Sequence, residues 1–142
     1  MSATENTVGA VSKETVGAAK TDEVDDAFEL YDLRVEVICP PGARIMCGAK
    51  PGDHFLLHGE MMYLPPNQGI SIYSLASVLP LLAAKQRITD ANDWMSTDAE
   101  VACPDPGCGS RLRVERVGRR RFRHGEVSVV ELRRGRGEKE EK

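Results

Sequence analysis

Proline and glycine cut the middle of this chain into short pieces, and no other feature narrows the choice of fold as much. Cys39-Pro40-Pro41-Gly42, Ala49-Lys50-Pro51-Gly52-Asp53, Tyr63-Leu64-Pro65-Pro66-Asn67-Gln68-Gly69 and Cys103-Pro104-Asp105-Pro106-Gly107-Cys108-Gly109 are all turn sequences. Between them there is room only for short strands and one helix. Leu33, Val35 and Val37 alternate with Arg34 and Glu36, the period-2 pattern of a half-buried strand that stops at the first turn. His54-Phe55-Leu56-Leu57-His58 reads as the next strand, with Phe55 and Leu57 on one face and His54, Leu56 and His58 on the other.

Ser71 is placed to cap a helix over 72–87, whose apolar stripe Ile72, Leu75, Ala76, Leu79, Leu82 and Ala83 is expected to pack on the sheet. Pro80 lies inside it and is expected to kink it or divide it in two. The segment 88–98 is polar around Trp94. Three further strands are expected at 100–103, 111–117 and 126–132, the last two joined by a hairpin loop over 118–125 with Gly118 and Gly125 at its ends. The fold class that follows is α+β: a small, mostly antiparallel sheet with one kinked or split helical element on a face.

Of the 142 residues 41% are hydrophobic, slightly under the ~45–50% usual for a globular chain. The shortfall sits at the ends. Residues 1–32 net −6, with eight acids against Lys13 and Lys20; residues 33–110 net −3; residues 111–142 net +6, with twelve Arg and Lys against six acids. Residues 7–14 and 15–22 form a short imperfect repeat, too small to build a solenoid. The division expected is therefore a disordered acidic head at 1–30, a folded domain at 31–134 and a charged tail at 135–142. The head and the basic end can attract each other across the domain.

No apolar run reaches the ~18–20 residues of a membrane span, and the first residues lack the layout of a secretory signal. The chain reads as cytoplasmic. In a reducing compartment its four cysteines are free thiols, metal ligands or a reactive site rather than a disulfide framework.

Over 33–117 the order of landmarks resembles a family of short uncharacterised bacterial proteins. The residues that carry the resemblance are Cys47-Gly48-Ala49-Lys50-Pro51-Gly52-Asp53-His54-Phe55, Gly69 leading into Ile72-Tyr73 and the helix with Pro80, Trp94, and Val101-Ala102-Cys103-Pro104-Asp105-Pro106. The resemblance brings no activity with it. It implies that Cys47 and Cys103 are the family-type cysteines and that Cys39 and Cys108 are extras. It also marks a departure, since Ile70 stands where that family often has a cysteine.

Three chemistries compete for these residues. Cys39, Cys47, Cys103 and Cys108 are four soft thiolate donors, the set a structural zinc site takes, although the intervals of seven and four residues are longer than a standard knuckle. A catalytic or redox thiol is the second reading. Cys47 has Arg44 and Lys50 close in sequence and His54 and His58 on the next strand as acid–base partners, and Cys103 is the other candidate nucleophile. In the third, Arg119, Arg120, Arg121 and Arg123 around Phe122 contact a partner or phosphates while the ring stacks on a base. A pI near 5.6 argues against nucleic acid.

No phosphate-binding loop, dinucleotide fingerprint or nucleophile elbow is present in the sequence. The reading favoured is a small non-catalytic accessory or interaction domain that binds another protein subunit, its cysteine turns structural or zinc-binding. A small cysteine-dependent enzyme or redox protein is the alternative, and nucleic-acid binding through the arginine segment the second alternative.

Overall fold

The computed structural model describes residues 25–133. Most of the expected acidic head, and the tail at 135–142, lie outside the described residues. Five strands form one antiparallel sheet: β1 (Ala27–Ile38), β2 (His54–His58), β3 (Met61–Tyr63), β4 (Glu100–Ala102) and β5 (Arg111–Arg123), in the order β3-β2-β1-β5-β4. Among the described residues three helices accompany it: α1 (Ile72–Gln86), α2 (Trp94–Thr97) and α3 (His124–Val127). The architecture is the α+β class expected from the turn spacing. Among the described residues no helix is long and apolar enough to cross a membrane.

The core forms where period-2 alternation meets the helix. Leu33, Val35 and Val37 of β1, Phe55 and Leu57 of β2, and Leu112 and Val114 of β5 point to one face of the sheet, and Val78 and Leu82 of α1 close over them. On the opposite face Arg34 and Glu36 form an ion pair at 3.4 Å.

The long central pair β1·β5 departs from expectation. Ordered strand begins at Ala27, four residues before the expected boundary, and the segment 118–125 is not a hairpin loop. β5 continues through it to Arg123, paired residue by residue with the start of β1 from Asp32↔Gly118 to Ala27↔Arg123. The cause is cross-strand charge: acidic residues at the start of β1 and just before it stand beside the arginines, and opposite charges across a ladder favour pairing.

Because the chain is used in this way, the strand expected at 126–132 does not form. One helical turn, α3, and irregular backbone occupy that stretch. Where Asp32 and Leu33 face Gly118 and Arg116, Val117 is the extra residue of a β-bulge. The bulge turns Arg116 to the face of Leu33, beneath the end of α1. β3 was also unexpected, and it follows a tight turn at Gly59, whose φ of 59° needs no Cβ.

α1 runs unbroken through Pro80. The missing proline N–H leaves the Ala76 carbonyl without its helical donor, and Ala76 is exposed, so that carbonyl is on the solvent side of the helix. Ser71 caps the helix as expected, its hydroxyl accepting from the Ser74 N–H at 3.5 Å. The other end is tied down by side chains. Arg116 donates to the carbonyls of Lys85 (2.8 Å) and Arg87 (3.0 Å), which satisfies acceptors that a helix C-terminus leaves open.

The buried Lys85 ammonium donates to the carbonyls of Met95 (2.9 Å) and Asp98, at the α2 end of the polar segment. Its burial, and then the charge of Arg116, lower the Lys85 pKa. Gln86 donates to the Gly59 carbonyl at 2.6 Å.

These anchors set the rotation of α1 about its axis, and that corrects the expected stripe. The inward residues are Ser74, Val78, Leu82, Lys85 and Gln86, with Leu75 partly buried. Ile72, Ala76, Leu79 and Ala83 face outward. Polar side chains with fixed partners, Lys85 and Gln86, share the inward side of the helix with the core residues Val78 and Leu82.

Candidate functional site

The two cysteine-bearing turns lie against one another. The Gly109 N–H donates to the Arg44 carbonyl at 2.8 Å, and a Cβ at Gly109 would fall 2.5 Å from the Ala43 Cβ and 3.1 Å from the Arg44 nitrogen. The turns reach this distance because residue 109 has no side chain. Within the second turn the Asp105 carboxylate accepts from the Gly107 N–H at 2.9 Å and the Asp105 carbonyl from the Cys108 N–H at 3.0 Å, an Asx-type loop that positions the thiol.

The Cys47 and Cys108 sulfurs are 3.8 Å apart. The Ser110 hydroxyl lies 3.2 Å from the Cys108 sulfur and 3.7 Å from that of Cys47, and the Met46 N–H donates to Cys108 at 3.2 Å. These donors hold the Cys108 pKa down to about 6. The Ser110 hydroxyl contributes most, followed by the Met46 N–H, with smaller help from the Ser110 and Cys47 backbones, and together they outweigh burial, which acts in the other direction.

A thiol depressed from an ordinary 9.0 to about 6 binds its proton less tightly in the folded chain than in the unfolded one. Stability is therefore expected to rise with pH between about 6 and 9.0, to be fully present above that window and to be lost as pH falls through 6. Melting temperatures measured across the window should show this rise, and Cys108→Ser should flatten it. A wild-type profile as flat as the variant's would remove the thiolate.

The four-sulfur set expected for zinc is not assembled. Cys39 donates to the Ala43 carbonyl at 3.4 Å. Cys103 lines a cavity of about 510 Å³ together with Met46, Cys47, Tyr73, Pro104 and Asp105. Among the described residues no group of three or more His, Cys, Asp or Glu side chains is arranged to hold a metal ion.

The cysteine that meets Cys47 is thus Cys108, one of those that the family resemblance leaves as extras. Cys47 also lines a second opening of about 790 Å³, whose wall includes Lys50, Gln68, Ile70 and the first turn of α1. The histidines are used elsewhere. The His54 ring sits 3.2 Å from the Gly52 carbonyl, the His54 backbone is clipped from both sides by the Gln68 amide, and the His58 ring packs on Tyr63.

The arginine segment is built into the sheet rather than presented on a loop. Arg120 makes two bonds to the Asp32 carboxylate (3.0 and 2.9 Å). Arg123 pairs with Asp26 at 2.9 Å, Arg119 with Glu29 at 3.6 Å and Arg121 with Asp25 at 3.6 Å. Phe122 stacks on Phe28 with ring centroids 5.4 Å apart. A nucleic acid would have to displace four carboxylates and one ring to use this surface. Acids of 25–32 meet arginines of 119–123 here; the rest of the expected head and tail lies outside the described residues.

A further feature is the outward side of α1. Ile72 is 70% exposed, Tyr73 67% and Leu79 50%. Ile72, Ala76, Leu79 and Ala83 succeed one another at intervals of four, three and four, which aligns them in one row along the helix. The sequence contained this signal, because the apolar stripe of α1 is wider than a single contact with the sheet needs. No family model, no curated protein and no solved structure matches this chain.

Proposed function

We propose that this is a non-catalytic interaction domain whose outward row on α1 docks an apolar helix of another subunit. The observation that carries the reading is that row: Ile72, Ala76, Leu79 and Ala83, apolar and exposed on the longest helix among the described residues. Spacing of four, three and four is that of a coiled-coil seam, in which side chains of one helix seat between those of another. An uncovered apolar strip of this regularity marks a contact surface rather than scattered exposure.

A second copy of the chain is the partner the row fits. Its order is large, small, large, small. Laid antiparallel about a two-fold axis near the middle of the row, Ile72 comes level with Ala83 of the other helix and Leu79 with Ala76, so each large side chain meets a small one. The same arrangement sets the helix dipoles in opposition, which is favourable.

Analytical ultracentrifugation of the full chain tests this. We expect reversible dimers, and Leu79→Glu, which places a charge in the middle of the seam while touching no core residue, should give monomers with the fold intact by circular dichroism. A wild-type chain that stays monomeric at every accessible concentration, or a dimer indifferent to Leu79→Glu, would rule out self-docking through this row.

A further inference from the structure

We infer that Cys47 and Cys108 form a thiol–disulfide exchange site for low-molecular-weight disulfides, Cys47 receiving the entering group and Cys108 closing the intramolecular bond. Geometry carries the assignment. The sulfurs are 3.8 Å apart across turns from distant parts of the chain, so they must close by roughly 1.8 Å to reach the ~2.05 Å of a disulfide. Their access differs. Cys108 is 8% exposed, whereas Cys47 is half-buried and borders both openings. A disulfide entering from solvent therefore meets Cys47 first.

The chemistry of each step balances. Cys47 gives up its proton to solvent and attacks one sulfur of the entering disulfide; a mixed disulfide forms at Cys47 as the old S–S bond breaks, and the small thiolate that leaves takes up a proton. Cys108, held as thiolate by the Ser110 hydroxyl and the Met46 N–H, then attacks the Cys47 sulfur and expels the second small thiolate, which is protonated in turn. Two protein thiols are oxidised and one external disulfide is reduced to two thiols. A nucleophile with a pKa near ambient pH is the best attacking thiol in such an exchange. This site adjoins the seam on α1, since Ile72 also lines the larger opening beside Cys47, but the two tests read different quantities, disulfide mapping and association state, and either assignment can fail without the other.

The test uses the reduced full chain and oxidised glutathione as the probe. The expected product is two hydrogens lighter than the starting protein, and peptide mapping finds Cys47 joined to Cys108. With Cys108→Ser the glutathione adduct should persist on Cys47; with Cys47→Ser neither the adduct at that position nor the internal bond should form. An internal bond through Cys39 or Cys103, an adduct that persists on the wild-type chain, or four thiols still free after treatment would each overturn the assignment. The mapping on the wild-type chain decides the matter by itself should a serine variant not fold.

Discussion

Leu82→Ala is expected to lower the stability of this domain by about 2–5 kcal/mol, whereas Leu79→Ala, three residues away on the same helix, should change it by no more than about 0.5 kcal/mol. Leu82 is 5% exposed and closes the core with Val78 over Leu33, Val35, Phe55 and Leu112. Truncating it leaves a cavity that the strands beneath can only partly fill, because β1 is held on both sides by its neighbours. Leu79 faces outward, is 50% exposed and belongs to no core contact. Urea unfolding of both variants, at a concentration where the chain is monomeric, separates the two orientations of α1. Equal losses, or a larger loss for Leu79, would mean that the helix is rotated from the position described.

That pair of leucines also marks the limit of what the amino-acid pattern could convey. The existence of α1, its cap at Ser71 and the strand His54–His58 were all legible, because local periodicity and turn chemistry determine them. The rotation of α1 was not. Its apolar residues cover two sides, and the side that carries Val78 and Leu82 is also fixed by Lys85, Gln86 and Arg116, whose partners lie at Met95, Asp98, Gly59 and the helix end itself.

The length of β5 was hidden for a similar reason. Gly118 and Gly125 carry the local signature of loop ends, while the acids that hold the strand in place stand ninety or so positions earlier in the chain, as in Arg123–Asp26 with a separation of 97. Cys47 and Cys108 were both visible as candidates, but their contact spans 61 positions and depends on a glycine approaching a backbone. Spacing rules for metal knuckles do not describe such a contact, and the histidines proposed as partners were already bound to Gly52 and packed on Tyr63.

Gly109→Ala should disable the thiol pair without altering any sulfur ligand or hydrogen-bond donor. The added methyl would overlap the Ala43 Cβ at 2.5 Å and press on the Arg44 nitrogen and oxygen at 3.1 and 3.2 Å. Neither neighbour is the flexible end of a long side chain, so the turns must separate. Crowding of this kind costs about 1–3 kcal/mol.

Separation also weakens the Gly109–Arg44 bond and draws the Met46 N–H away from the Cys108 sulfur. The Cys108 pKa should then move up from about 6, because the Met46 N–H recedes while burial stays; the Ser110 hydroxyl, two residues away in the same turn, remains and limits the rise. The pH dependence of alkylation at Cys108, followed by mass spectrometry, reads that change directly and independently of stability. Gly48→Ala is the control, since a Cβ there meets nothing within 4 Å and lies beside Cys47. A Gly109→Ala protein that keeps both its melting temperature and the low Cys108 pKa would show that the two turns are held together by something other than the close approach at Gly109.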